Sequence, residues 1–214
     1  MRAGCAYARG MGATTLRDLT VGGLLEAIAA KTPSPGGGAA ASAVGGLGAA
    51  LAQMVVSYSV GKKALAAHEP ALRGAAAVLG NAQRILLELA EEDALAYGAV
   101  NELRKLPEGD ARRALELPEA VRASVRVPLA TAAACVSLLR HFEGLAGMTN
   151  RQLRSDLAIA AILAEAAVRA SRWNVVINAT NLEVGEVGAA LKEIEGLVAE
   201  GTRLAGVVEG LCGA

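Results

Sequence analysis

The side chains best suited to chemistry are carboxylates, lysines and amides that interrupt otherwise apolar stretches. Asp93 is the clearest of them, because Leu79, Leu86 and Val100 share its seven-residue spacing and predict one apolar helix face. A carboxylate on such a face is paired with a cation, is desolvated with a raised pKa, or faces a pocket. Two interpretations therefore stay open, a buried structural ion pair and a functional acid.

A second carboxylate, Asp156, follows Ser155 and begins another apolar segment. It is either an alternative helix N-cap or a second functional acid. Farther along the same predicted helix, Asn174, Asn178 and Asn181 recur at steps of four and three, so they share one face. Such a row of amides could bind the polar edge of a heterocycle, or it could form a satisfied network with a neighbouring helix.

The elements that must position these groups begin with an uncharged stretch over residues 32–61. Its start predicts a helix N-terminus, with Ser34 as the N-cap and Pro35 at the first helical position. Gly36 to Gly38 then fill the first turn, at a cost of about 3 kcal/mol relative to alanine. Close approach of a ligand or of another backbone would offset this cost, and exposed N–H groups at a helix start favour anions.

Lys62 and Lys63 directly follow this stretch, where their structural role would be to complement the dipole at a helix C-terminus. The stretch is long enough for a transmembrane helix. However, Ala and Gly dominate it, Gln53 lies within it and no aromatic belt flanks it, so we expect no membrane span. Gly36, Gly38 and Ala41 fit a dinucleotide-binding fingerprint formally, but no predicted strand precedes them.

Two ridges of side chains recur at steps of three and four within the stretch. The small ridge is Gly38, Ser42, Gly45, Ala49 and Ala52, and the large ridge is Val44, Leu47, Leu51, Met54 and Tyr58. We expect the large ridge to lie in the core and the small ridge to let a second helix approach closely. The sequence therefore predicts a central buried helix near a subunit interface.

Composition excludes several classes of function. The 214 residues carry no net charge, so no basic surplus is present for nucleic-acid binding, and aromatic residues make up only 2%. Three widely separated cysteines form no C-x-x-C pair, which predicts neither a disulfide framework nor a metal site. Without a long apolar segment near the N-terminus we expect no signal peptide, and we expect a cytoplasmic protein.

Alanine and leucine dominate the chain, which favours helices throughout. We therefore predict an all-α fold, a bundle of long helices around the buried Gly/Ala-rich central helix. The predicted helices cover about 16–30, 35–61, 70–105, 119–145, 149–179 and 182–208, with a surface connection over 106–118. Residues 14–214 are expected to form a single domain and residues 1–13 a flexible extension.

Several of these motifs together resemble the cyclodeaminase/cyclohydrolase family of folate enzymes. The most specific is P-S-P-G-G-G at Pro33 to Gly38, followed by the apolar helix and by Gly61-Lys62-Lys63. The Asp93 segment, the Ser155-Asp156 step and N-V-V-I-N at Asn174 to Asn178 follow in the order that the family shows. One position departs from the pattern, because Ala39 stands where the family usually has serine. Backbone N–H groups or Ser42 would have to take over any role of that hydroxyl.

The resemblance implies an all-helical subunit in a homodimer or larger homo-oligomer, with a tetrahydrofolate derivative as substrate and no cofactor. It implies a formiminotetrahydrofolate cyclodeaminase, with a methenyltetrahydrofolate cyclohydrolase as the alternative. A non-enzymatic helical scaffold is the rival class. The expected catalytic residues are Asp93, Asp156 and Lys62. The expected substrate-binding residues are Gly36, Gly37, Gly38, Lys63, Ser155, Asn174 and Asn178.

Overall fold

The computed structural model describes residues 15–213, and this part of the chain contains helices and no strands. The six α-helices are α1 (Val21–Ala29), α2 (Gly37–Ser57), α3 (Glu69–Lys105), α4 (Ala111–Leu145), α5 (Arg154–Ala179) and α6 (Val184–Gly213). Short 3-10 turns cover Leu16–Asp18, Lys63–His68 and Arg151–Leu153. The all-α prediction is confirmed. The expected flexible extension at residues 1–13 lies outside the described residues.

Helix α2 lies at the centre of the bundle and packs against α3, α4 and α5. Its small ridge makes these contacts possible. A Cβ added to Gly45 would lie 2.6 Å from Cys135 Sγ on α4, and one added to Gly48 would lie 3.0 Å from the Ala160 carbonyl on α5. The neighbouring helices are therefore closer to the backbone of α2 than any larger side chain would allow.

The expectation for the large ridge of α2 holds only in part. Leu47 is 59% exposed and Tyr58 is 62% exposed, while Val44, Leu51 and Met54 are only partly buried. The glycines and alanines face the core instead, because they allow three helices to approach α2 at once. Leu47 and Tyr58 are left on the outward side of the helix, while Val44, Leu51 and Met54 pack against the edge of the core.

The apolar seam of α3 agrees with the prediction. Leu72, Leu79 and Leu86 are fully buried, and Val100 is 5% exposed. The three leucines pack into one continuous core with residues from α2, α4, α5 and α6. Asp93, on the same face of α3, meets the first turn of α2 rather than another apolar side chain.

Several local predictions are wrong at helix ends. Gly36 rather than Ser34 is the N-cap of α2. Helix α4 begins at Ala111, since Asp110 caps it by accepting hydrogen bonds from the backbone N–H groups of Arg112 and Arg113. Most of the expected surface connection over residues 106–118 is therefore helical, and Pro118 lies inside α4.

The expected capping box at Thr149 is also replaced by other contacts. Its hydroxyl donates back to the Leu145 carbonyl at 3.0 Å, while the Asn150 side chain accepts from the Gln152 N–H. Helices α2 and α4 are long and apolar enough to cross a membrane, yet more than half of the most apolar window of each is buried within the bundle. Their apolar character is what core helices of a bundle require.

Candidate active site

A cleft of about 260 Å³ opens where the first turn of α2 meets α3 and the C-terminal half of α5. Its lining consists of Pro33, Ser34, Gly36, Gly37, Gly38, Asp93, Tyr97, Asn174, Ile177 and Asn178. Three separate parts of the chain meet here, and each carries one of the motifs singled out in the sequence. The fold therefore brings the glycine motif, one of the two expected carboxylates and two amides into one site.

The carboxyl group of Asp93 lies directly against the backbone of α2. A Cβ added to Gly38 would fall within 3.0 Å of all three atoms of this carboxyl group, so no residue with a side chain fits there unless Asp93 moves. The backbone N–H of Ala39 donates a hydrogen bond to Asp93. The close approach therefore explains one of the two glycines, Gly37 and Gly38, that lie in the first turn of α2.

The alanine at position 39 leaves this arrangement intact, because the contact to Asp93 uses the backbone and not a side chain. Ser42, the other expected substitute for the missing hydroxyl, is engaged elsewhere. Its Oγ lies 2.9 Å from Thr131 Oγ1 in a buried hydrogen bond to α4. From the sequence, either backbone N–H groups or Ser42 were expected to replace the missing serine hydroxyl. In the structure, the backbone N–H of Ala39 contacts the Asp93 carboxylate.

Burial raises the pKa of Asp93 to about 6, and the hydrogen bond from the Ala39 N–H acts in the opposite direction. No cationic side chain lines the cleft among the described residues. Desolvation therefore determines the pKa of this carboxyl, and the buried ion pair considered from the sequence is not present among residues 15–213. A carboxyl with a pKa close to neutrality can take up and release a proton at physiological pH.

The two amides on α5 have different surroundings. Asn174 donates from Nδ2 to the Ala170 carbonyl of its own helix at 3.3 Å, and its Oδ1 is directed towards Gly37 at the cleft. Asn178 donates to the Ser124 carbonyl at 2.8 Å and so ties α5 to α4. Asn174 can therefore offer an acceptor to a ligand, while the amide N–H of Asn178 serves the packing of the bundle.

Some cleft residues were not anticipated from the sequence. Tyr97 lies one turn beyond Asp93 on α3, and Ile177 lies one turn beyond Asn174 on α5. Ser34 lies two residues before the first of the three glycines. Helical spacing from the expected residues would have found the first two.

The remaining expected site residues lie at the other end of the bundle. Lys62 and Lys63 follow the C-terminus of α2, whereas Gly37 begins it, and a helix of that length spans about 30 Å. Ser155 and Asp156 lie in the first turn of α5, close to the same end, because Ser59 Oγ accepts a hydrogen bond from the Asn150 N–H. Asp156 does not cap α5, so its N-cap interpretation is wrong. None of these four lines the cleft of its own chain.

No group of three histidine, cysteine, aspartate or glutamate side chains within residues 15–213 could hold a metal ion. The chemistry available in the cleft comes from one carboxyl of raised pKa, an amide oxygen, and the N–H groups of a glycine-rich helix start. Such a set can transfer a proton and bind a polar, planar heterocycle through its edge.

Comparison with known proteins identifies the family to which this chain belongs. Residues 20–194 match the family model described as formiminotransferase-cyclodeaminase. The chain is 34% identical over 186 residues to the methenyltetrahydrofolate cyclohydrolase of Methylorubrum extorquens, covering 85% of this chain and 89% of the relative. It is 34% identical over 168 residues to the formimidoyltransferase-cyclodeaminase of Mus musculus, covering 77% of this chain and only 31% of that longer relative.

A solved structure agrees with these sequence relatives. The crystal structure of formiminotetrahydrofolate cyclodeaminase from Thermotoga maritima superposes with a TM-score of 0.85 at 28% sequence identity. The match covers 92% of this chain and 98% of the other. The chain therefore belongs to the formiminotransferase-cyclodeaminase family and is a folate one-carbon enzyme of its cyclodeaminase/cyclohydrolase branch.

Proposed function

We propose that the Asp93 cleft binds the reacting end of a tetrahydrofolate derivative and that the protein hydrolyses methenyltetrahydrofolate. The observation that carries this proposal is the carboxyl of Asp93, held against Gly38 and Ala39 with its pKa raised to about 6. Support for hydrolysis comes from the Methylorubrum extorquens relative of that name, which matches over nearly its whole length. We therefore propose hydrolysis first and cyclodeamination, which the family resemblance put first, as the second candidate.

The proposed hydrolysis needs one base and one acid. The substrate is a cation in which one carbon bridges two nitrogens. A water molecule attacks this carbon while the Asp93 carboxylate takes up a proton from the water. The carbon–nitrogen bond to one of the two nitrogens then breaks, and the protonated Asp93 returns a proton to that nitrogen. The hydroxyl that the water left on the carbon loses its proton to the solvent, so a formyl group remains on the other nitrogen and one proton is released overall. Water, substrate and one carboxyl balance this reaction, so we propose that no cofactor takes part.

Binding of the substrate would use the other groups of the cleft. The N–H groups in the first turn of α2 have no partners within the helix and can donate to a polar ring edge. Asn174 Oδ1, which lies next to Gly37, offers an acceptor. A nearby carboxylate also stabilises the positive charge of the substrate, which strengthens its binding in the partly desolvated cleft.

Cyclodeamination is the second candidate, because the structure from Thermotoga maritima carries that name and superposes over almost the entire chain. In that reaction the anilino nitrogen attacks the formimino carbon, ammonia leaves and the methenyl cation remains. Asp93 would accept the proton of the anilino nitrogen and donate one to the departing amine. A pKa of about 6 suits both transfers equally, so the carboxyl alone does not separate the two reactions.

A spectroscopic assay with both substrates separates these functions. Methenyltetrahydrofolate and formiminotetrahydrofolate are offered separately to the purified protein, and the methenyl chromophore is followed. Accelerated loss with the first supports the cyclohydrolase, while appearance with the second, together with ammonia release, supports the cyclodeaminase. If a folded protein changes neither substrate, the proposed function is wrong and the scaffold hypothesis gains support.

The assembly and the compartment stay proposals as well. We propose a homo-oligomer, because much of the large ridge of α2 is exposed in the single chain. The cytoplasm remains the predicted compartment, in keeping with Cys135 and Cys212 as free thiols. Gel filtration and fractionation of the host cell test these two statements.

A further inference from the structure

The Asp93 cleft is small for a whole folate, so part of the substrate must lie outside it. Its volume of about 260 Å³ is below the range of about 300–1,000 Å³ in which small-molecule sites usually fall. In a folate the reacting ring system is followed by a benzoyl group and then by a glutamate, which carries the negative charge. No cationic side chain lines the cleft among the described residues. A positive partner for the glutamate therefore has to lie beyond the cleft.

The two walls of the cleft, α3 and α5, continue beyond it in one direction only. Towards the middle of the bundle, α2 fills the space between them. A Cβ added to Gly45 would lie 3.4 Å from Leu86 Cδ2 on α3 and 3.4 Å from Ala167 Cβ on α5. In the other direction α2 has not yet begun, since Gly37 is its first residue. A tail that leaves the cleft along its walls therefore moves towards the C-terminal ends of α3 and α5.

A side-chain contact joins these two ends. Arg104, in the last turn of α3, donates from Nη2 to Asn181 Oδ1 just after α5. The Asn181 amide is itself oriented, because its Nδ2 donates to the Asn178 carbonyl at 3.2 Å and to Thr180 Oγ1 at 3.4 Å. Both Arg104 and Asn181 are exposed. The contact therefore holds a cationic side chain between the ends of the two walls, within reach of solvent.

Arg104 keeps its charge in this arrangement. Its partner is a neutral amide, and no carboxylate within residues 15–213 forms an ion pair with it. The adjacent Lys105 differs, since it pairs with Glu102 at 2.6 Å. A guanidinium has five N–H donors, and the contact with Asn181 uses only Nη2. The remaining donors can bind a carboxylate of a ligand.

The spacing along α3 suits the length of the substrate. Asp93, Tyr97 and Arg104 recur at steps of four and seven residues, so they share one face of the helix. The rise from Asp93 to Arg104 is about 16 Å, and a long helical side chain leans towards the N-terminus, which shortens the gap. An extended aminobenzoyl-glutamate spans roughly 10 Å by ordinary bond lengths. Tyr97, 43% exposed, lies between the two charged groups and offers its ring to the benzoyl group.

Resting on the proposed function, we propose that Arg104 binds a carboxylate of the folate's glutamate tail and that Asn181 positions its guanidinium. Arg104 is then a specificity residue that selects substrates carrying the tail. It takes no part in the proton transfer at Asp93, which lies at the other end of the substrate. Its contribution therefore falls on KM and not on kcat.

Two substrates that differ only in the tail test this assignment. One is methenyltetrahydrofolate, and the other has the same rings and benzoyl group but a neutral N-methylamide in place of the glutamate. Arg104→Gln removes the charge and keeps a side-chain amide that can donate to Asn181. It should raise KM for the first substrate about tenfold and change kcat less than about twofold. KM for the neutral substrate should stay unchanged.

Two other substitutions serve as comparisons. Arg203→Ala is the matched control, because Arg203 is exposed on α6 and does not line the cleft, so the loss of its charge should change neither KM. Lys31 is an exposed cation two residues before Pro33 of the cleft, and Lys31→Ala should also leave both KM values unchanged. The inference is overturned if Arg104→Gln leaves KM for methenyltetrahydrofolate unchanged, if it raises KM for both substrates alike, or if only Lys31→Ala raises it.

Calorimetry with 5-formyltetrahydrofolate, a stable folate outside the proposed reaction, separates this inference from the proposed function. Arg104→Gln should weaken its binding about tenfold. Added salt should weaken binding by the wild type more than by the variant. Weaker binding by the variant of a protein that hydrolyses no methenyltetrahydrofolate would support the inference and refute only the reaction. Equal binding by both proteins would overturn the inference alone, whereas a wild type that binds no folate would overturn both.

Discussion

Replacing Asp93 by asparagine should make the folded protein more stable at neutral pH while removing its activity. The amide is nearly the same size as the carboxyl and keeps an oxygen to accept from the Ala39 N–H. It cannot take up a proton from water, so we expect turnover to fall by about 10²–10⁴-fold. A gain in stability together with this loss would be typical of a residue retained for chemistry.

The size of the gain follows from the pKa of Asp93, which burial raises from 3.8 to about 6. The folded state holds the proton more tightly than the unfolded state, so stability falls as pH rises between these two values. Above pH 6, ionisation of the buried Asp93 carboxyl lowers the free energy of unfolding by about 3 kcal/mol. At pH 4.5 the same calculation gives about 1 kcal/mol. The asparagine should therefore recover about 1–3 kcal/mol at pH 8 and less at pH 4.5.

Thermal unfolding of the two proteins at pH 4.5 and pH 8 measures this difference. For a chain of this length the gain at pH 8 corresponds to roughly 2–10 °C in Tm. Glu92→Gln is the control, because Glu92 is the adjacent exposed carboxylate on α3 and should change neither stability nor turnover. If the stability difference does not grow from pH 4.5 to pH 8, burial does not raise the pKa of Asp93 and the reasoning fails.

Three further substitutions test how the cleft is built. Gly38→Ala should lower turnover at least tenfold and lower the free energy of unfolding by about 1–3 kcal/mol, because its Cβ meets the Asp93 carboxyl. The methenyl assay measures the turnover, and chemical denaturation measures the stability. Asn174→Ala should raise KM about tenfold with little change in Tm, since its Nδ2 bonds only within its own helix. Asn178→Ala should cost about 1–3 kcal/mol in urea unfolding, because a carbonyl on α4 loses its donor.

Each of these substitutions has its own control or contradicting result. Gly206→Ala on α6 adds a Cβ that meets no atom within 4 Å and lies outside the cleft, so it should leave turnover close to that of the wild type. An unchanged KM in Asn174→Ala would remove this side chain from the binding site. A fully stable Asn178→Ala would show that water replaces the hydrogen bond to α4.

The sequence by itself was enough to predict the helical class, the seam of α3 and the importance of Asp93. These follow from periodicity, because buried positions on a helix recur at fixed steps and a carboxylate among them is conspicuous. It also indicated that the first turn of α2 makes a close contact, since three glycines are costly in a helix. Helix ends were predicted less well, because Asp110 and Asn150 compete with other cap residues that fit the sequence equally.

Only the tertiary structure could decide which expected site residues meet. Asp93, Gly38 and Asn174 come from three helices, and no periodicity within one helix states the distance to another. The same limit explains why Lys62 and Asp156, equally prominent in the sequence, lie at the far end of the bundle. Likewise, the small and large ridges of α2 recur in the sequence at the same steps of three and four, so the spacing alone could not show which one is buried. Packing buried the small one, because close approach of three helices leaves no room for large side chains.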